Sequence, residues 1–296
     1  LIKKDLFIPH NFLSLPNRYS DFKKSRFVIL PIPYEGTSSY KPGTRGGPQA
    51  IVNASKQVEF YDQELNTEPY RKGICTLDEL EPDASNPEKM VEKIYRTAKD
   101  LIDKKRILIG LGGEHTVSIG LVKAFKEKYK DLSVLQLDAH ADLRDSYQGS
   151  KYSHACVMKR INELCDYLGV GIRSISKEEA SFAKSKGIKL FFAEEIKENP
   201  GFVDDVLKSL SKNVYLSLDL DFLDPSIMPA VGTPEPGGLL WHQTLDFLKK
   251  VIQYRNIVGL DLVELSPLPG IIAPDFLAAK LLYKTIGYIS AKDKLR

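Results

Sequence analysis

Ser133-Val-Leu-Gln-Leu-Asp138-Ala-His140-Ala-Asp142 runs from an apolar core segment straight into three metal-capable side chains. Its first six residues lack strict polar alternation and predict a parallel strand buried on both faces. Similar runs recur at Arg26–Pro31, Arg106–Leu111, Tyr167–Ile172, Ile188–Phe192, Asn213–Asp219 and Asn256–Leu262. Between them, helices are predicted over Pro48–Tyr61, Pro87–Lys104, Thr116–Lys130, Ser153–Cys165, Lys177–Lys186, Phe202–Ser211, His242–Tyr254 and Pro274–Ser290. Strand and helix alternate, which argues for βαβ units with right-handed crossovers. The expected fold is α/β, a three-layer α/β/α architecture around a central, mostly parallel sheet. No Ser/Gly-rich linker, repeat or low-complexity tract divides the chain, so one domain over residues 1–296 is expected. Leu1–Ser25 shows no clear pattern and is expected to wrap the outside. Pro31–Pro48 and Asp224–Gly238 are loops too long for simple connections, and long ordered loops are often functional.

Composition excludes several function classes. Hydrophobic residues are 43% and charged residues 27% of the 296, which is ordinary for a soluble globular protein. A net charge of +3 with scattered basic residues gives no case for nucleic acid or an anionic membrane surface. Cys75, Cys156 and Cys165 have no C-x-x-C spacing and read as reduced thiols of a cytosolic protein. No apolar run approaches the roughly 18 residues of a membrane span, and no signal peptide is visible.

His140 and Asp142 follow Asp138 at steps of two. In extended backbone such residues point to one side, about 7 Å apart at Cα, and can converge on two ions about 3.5–4 Å apart. Asp219-Leu-Asp221 repeats the pattern at the end of Asn213–Asp219, and His115 follows Arg106–Leu111 after a Gly112-Gly113 turn. All three pieces fall at the carboxyl ends of predicted parallel strands, where open α/β sheets bind ligands. Each piece alone is weak, since a lone D-x-H or D-x-D is more often a turn, a cap or a surface feature. Asp219-x-Asp221-x-x-Asp224 fails as a calcium loop, because Leu223 and Asp224 occupy the places of an oxygen ligand and the turn glycine. Gly110-Leu-Gly112-Gly113 lacks dinucleotide spacing. The conjunction of the three pieces carries the metal reading. Carboxylates dominate the set and no thiolate joins it, which suits Mn²⁺ better than structural zinc and leaves Zn²⁺, Co²⁺ and Fe²⁺ open.

In order along the chain, the motifs resemble those of the ureohydrolase family, the arginases, agmatinases and their relatives. The resemblance rests on Pro31-Ile-Pro33-Tyr-Glu35-Gly36-Thr37-Ser38, Pro42-Gly43-Thr-Arg45-Gly46-Gly47-Pro48 and Gly112-Gly113-Glu114-His115. It continues through Asp138–Asp142, Ser153-His154-Ala155, Ser217–Pro225, Gly232-Thr233-Pro234-Glu235 and Asp261-Leu-Val263-Glu264. Met228 departs from it, where the family more often has a small residue. The resemblance implies an arginase-like fold and two Mn²⁺ ions per chain that hydrolyse a guanidino group to urea and an amine. It makes Asp138 and Asp219 bridging ligands, with His115 and Asp142 completing one metal and His140 and Asp221 the other. It also makes Glu264 the guanidinium-binding carboxylate and His154 the proton-transfer histidine, and it implies a trimer or hexamer.

The chemistry is consistent with those roles. A guanidinium stays charged up to a pKa of about 12.5–13.8, and its carbon resists free water. A carboxylate can pair bidentately with its plane. Asp142 can both ligate and orient the attacking water. A histidine near pKa 6.5 suits proton transfer. His10 and His242 match no motif and are expected at the surface.

Leu143–His154 lacks the Ser-Gly-Asn-type stretch of arginases, and Gly171-Ile-Arg173-Ser174 resembles agmatinases. Agmatine, cleaved to putrescine and urea in polyamine biosynthesis, is therefore the expected substrate. Arg144 and Lys151 keep guanidinobutyrate open, and aminopropylagmatine and arginine stand beside it. Two other classes remain: a metal-binding regulatory protein without turnover, and a single-metal deacetylase on the same fold.

Overall fold

The computed structural model describes residues 7–199, 201–292 and 295. Among the described residues, eight strands form one sheet: β1 (Phe27–Ile32), β2 (Ile74–Thr76), β3 (Ile107–Gly112), β4 (Leu132–Leu137), β5 (Tyr167–Ile172), β6 (Lys189–Phe192), β7 (Asn213–Asp219) and β8 (Asn256–Val263). Their order is β2-β1-β3-β8-β7-β4-β5-β6, and every pairing is parallel. β1, β3, β4 and β5 are buried along their whole length, as parallel strands covered on both faces must be.

Two apolar clusters fill the two faces. Ile29, Leu135, Leu216 and Leu260 lie in one, with Leu282 of the helix Ala273–Ser290. Val28, Val134 and Tyr215 lie in the other, with Val91 of Pro87–Leu101 and Phe125 of Val117–Lys128. Local signals start and stop the helices. Asn86 accepts the Lys89 N–H ahead of Pro87, and Ser176 and Glu179 form a capping box before Lys177–Lys186. Gly187 ends that helix in the left-handed conformation.

The parallel sheet bears out the expected α/β architecture. Some details of the expectation are corrected. β2 is a three-residue edge strand, too short to show a period. The helix predicted to reach Tyr61 stops at Ser55, and Asp62 turns inward to bind Lys284 at 3.0 Å. The stretch Ser153–Cys165 divides into a 3₁₀ turn, His154–Cys156, and a short helix, Val157–Asn162. A helix over Ala193–Glu198 follows β6 with no turn signal before it. Leu1–Leu6 lie outside the described residues, but Phe12, Leu13 and Leu15 are core residues, not an outer wrap. Met228 is fully buried in the same core cluster.

Chain order leaves a gap between β3 and β4 that β8 and β7 later fill. The four central strands therefore end side by side. Their carboxyl ends lead into His115, Glu264, Asp219 and Asp138, respectively.

Candidate metal centre

The Gly112-Gly113 turn brings His115 over the sheet. A Cβ on Gly113 would sit 2.0 Å from the Tyr34 carbonyl oxygen, so only glycine allows the close approach. His115 is 1% exposed, and its Nδ1 lies 3.2 Å from Asp138 Oδ2, 3.0 Å from Asp142 Oδ2 and 3.2 Å from Asp219 Oδ2. That nitrogen is buried and has no hydrogen-bond partner among the described residues. His140 Nδ1 lies 2.8 Å from Asp221 Oδ2 and 3.6 Å from Asp138 Oδ1. Two donor groups result, His115/Asp138/Asp219 and Asp138/His140/Asp221, and Asp138 belongs to both. All six residues expected as ligands are thus brought together.

Backbone and side-chain hydrogen bonds hold the carboxylates. Asp138 accepts from Gln136 Nε2 at 2.8 Å, Asp221 from the Ala139 N–H at 2.9 Å, and Asp219 from the Asp221 N–H at 3.0 Å. Asp142 (φ 51°) and Glu264 (φ 67°) both occupy the left-handed region. Side chains other than glycine rarely adopt it, and such strain clusters at functional sites.

Burial and the neighbouring Asp138 push Asp142 up to about 7. Burial, then Asp221 and Asp138, raise Asp219 well above the carboxylate range. Burial alone would lower His140, but Asp221 and Asp138 more than offset it and carry it up to about 12. Negative charge concentrated in a dry space thus retains protons. A divalent cation placed among the same atoms would release them. The oxygen-rich donor set and the orphaned His115 Nδ1 fit two hard cations.

Glu264 and His154 stand on the wall of a cavity of about 270 Å³ above the donor atoms. Glu264 Oε1 accepts the His115 N–H at 2.6 Å, while burial and Glu114 push its carboxyl up to about 8. His154 Nδ1 lies 3.1 Å from Thr37 Oγ1, and Nε2 lies 3.2 Å from Ser39 Oγ. Burial lowers His154 to about 4, so the ring is neutral at pH 7, below the ordinary value expected from sequence. His10 and His242 are exposed, as expected.

The sequence model of the arginase family matches residues 25–287. The chain belongs to the arginase family. It is 37% identical over 294 residues to an N(1)-aminopropylagmatine ureohydrolase of Synechocystis, covering 95% of this chain and 96% of the relative. It is 36% identical over 270 residues to an agmatinase of Pyrococcus horikoshii, covering 90% and 93%. The agmatine ureohydrolase of Thermoplasma volcanium superposes with a TM-score of 0.89 at 30% identity, covering 98% of both chains. This arginase-family chain is a ureohydrolase of the agmatinase branch.

Sequence reasoning missed several residues around this ureohydrolase centre. Thr37 and Ser39 were visible only as hydroxyls in a long loop. Glu114 is fully buried and accepts from the N–H groups of Gly36 and Thr37 and from the Thr37 hydroxyl, at 2.7–2.8 Å. Arg173 donates to the carbonyls of Asp221 and Glu235, each at 2.7 Å. Asp224 takes the N–H groups of Gly237 and Gly238, at 2.9 and 3.1 Å. Together Arg173 and Asp224 lash the loop Asp224–Gly238 against the end of β7, and Glu235 joins the cavity wall. Lys41, Arg144 and Tyr147 also line the cavity, and Arg144 sits 5.1 Å from the centre of the Tyr147 ring. Lys151 is exposed.

Proposed function

We propose that this chain is a dimanganese ureohydrolase acting on a guanidino group with a cationic polyamine tail, with aminopropylated agmatine ahead of agmatine. The observation that carries the reading is the pair of buried donor groups sharing Asp138 beneath a cavity walled by Glu264 and His154. His115, Asp138, His140, Asp142, Asp219 and Asp221 would hold two Mn²⁺ ions, with His115 and Asp142 at one and His140 and Asp221 at the other. Bound there, the ions supply a strong nucleophile from water at neutral pH.

The chain's own residues do the rest. Glu264, with Oε1 tied to the His115 N–H, offers the cavity a carboxylate for the guanidinium plane. Water adds to the guanidinium carbon, the bond from that carbon to the tail nitrogen breaks, and the nitrogen leaves as an amine. His154 is neutral, so it accepts a proton from the attacking side first and then delivers it to the departing nitrogen. A single ureohydrolase domain over residues 1–296 is part of the same proposal. It is supported by one sheet that carries every ligand-bearing strand.

Two observations favour the longer tail. Relatives named aminopropylagmatine ureohydrolase reach 37–40% identity in Synechocystis and Thermus thermophilus, against 36% for the Pyrococcus horikoshii agmatinase. The rim carries the Glu235 carboxylate, and Tyr40 there is 79% exposed, so an ammonium-bearing tail can leave the cavity past an acid. Agmatine, the expectation from sequence, is the second reading, supported by the agmatinase relatives. Urea release by Mn²⁺-loaded protein tests both. The expected kcat/KM order is aminopropylagmatine, then agmatine, then arginine and guanidinobutyrate. Arginine or guanidinobutyrate in first place overturns the substrate class. Bound metal with no urea from any of the four favours the non-catalytic reading.

A further inference from the structure

From the donor atoms a line of hydrogen bonds leads down into the sheet. His115 Nε2 lies 3.0 Å from Ser217 Oγ. Ser217 Oγ donates to Asp261 Oδ1 at 2.8 Å, and the Tyr215 hydroxyl donates to Asp261 Oδ2 at 2.7 Å. Ser217 and Asp261 are register partners across β7 and β8. Tyr215, Ser217 and Asp219 alternate along β7 and so share one face of the sheet. Tyr215, Ser217 and Asp261 are all fully buried, so no bulk water competes for these bonds.

Proton direction follows from the end of the line. Both Asp261 oxygens accept from hydroxyls, Oδ1 from Ser217 and Oδ2 from Tyr215, so the Ser217 proton is committed to Asp261. The Ser217 oxygen then has only a lone pair to offer, and His115 Nε2 must supply the proton. Nδ1 is left with its lone pair, and it is this nitrogen that stands among Asp138, Asp142 and Asp219 without a hydrogen-bond partner among the described residues. We infer that Asp261 and Ser217 are positioning residues that hold His115 in its Nε2–H tautomer, with Nδ1 presented as the ligand atom for a divalent cation. The inference rests on the reading of His115 as a metal ligand. Outer partners of this kind orient a ligating histidine and raise its basicity.

Mn²⁺ titration of metal-stripped full chain tests it, with melting curves recorded on every variant. Ser217→Ala and Asp261→Asn are each expected to weaken one of two Mn²⁺ sites by about 10–100-fold and to spare the other. Ser217→Thr keeps the hydroxyl and is expected to retain affinity. The double variant S217A/D261N is expected to lose no more than the worse single, because both changes break one line. A purely structural role would lower the melting temperature without this selectivity, and the two losses would add. Two wild-type affinities in folded S217A and D261N overturn the inference and leave the metal reading standing, as do additive losses in the double variant. A wild-type chain that takes up no Mn²⁺ overturns both. Asp261→Asn preserves shape and carries the test if S217A fails to fold.

Discussion

His115, Asp138, Asp219 and Asp221, on the floor of the cavity, are at most 3% exposed and follow directly from the ends of adjacent strands. At the rim, Tyr40 is 79% exposed, Arg144 is exposed, and Glu235 rides on a long loop. The floor is held by the sheet's own hydrogen bonds, and its charges lie out of water. The rim is held by side chains that tie one loop to another, as Arg173 and Asp224 do. Chemistry common to a family belongs where geometry is rigid, and substrate choice belongs where loops vary.

His115 and His154 show the contrast in one residue type. Both ring nitrogens of His154 face hydroxyls, Thr37 and Ser39, so neither is committed to a cation. One nitrogen of His115 faces a hydroxyl and the other faces three carboxylates. On the proposed reading, the second environment suits a metal ligand and the first a proton carrier.

Breaking the floor has the largest expected effect. Asp138→Asn removes the one carboxylate common to both donor groups. Both Mn²⁺ ions should be lost, and kcat/KM should fall by more than the 10–100-fold typical of an outer partner. Metal analysis after dialysis checks this, and retention of two tightly bound ions would show that Asp138 is not shared.

His154→Asn should keep both ions and lower kcat by about 10²–10⁴-fold. Because burial holds His154 near 4, the ring is already neutral above that pH. Any rise in rate between neutral and alkaline pH therefore belongs to other groups, and H154N should lower the plateau without moving that midpoint. A midpoint that shifts with H154N would place the His154 ionisation in the neutral range instead.

Glu235→Gln tests the rim and should change least. Its carboxylate is partly exposed, and such pairs are worth about 0.2–1 kcal/mol. A few-fold loss of preference for aminopropylagmatine over guanidinobutyrate is expected, with metal content unchanged. Equal losses on both substrates would mean that Glu235 does not read the tail.

Legibility followed the same division. Strands such as Tyr167–Ile172 and Asn213–Asp219 were readable to the residue, because burial on both faces leaves a run without alternation. The six residues proposed as ligands could be picked out in the sequence because each lies within a few residues of a strand end. Three-residue β2 could not, and Phe12, Leu13 and Leu15 could not, because an isolated apolar cluster carries no period. Glu114, Thr37 and Arg173 were hidden for another reason: their partners lie far along the chain, and only folding reveals the pairing.

By itself the sequence determined the βαβ alternation and which side chains are suited to metal ions, since both are local properties of pattern and residue chemistry. Tertiary structure decided that β8 and β7 fill the space between β3 and β4, which makes one centre of three separate motifs. It also decided the left-handed backbone of Asp142 and Glu264, the neutral state of His154, and the line from His115 to Asp261. These depend on burial and on contacts between residues distant in the chain, and neither quantity exists until the sheet has formed.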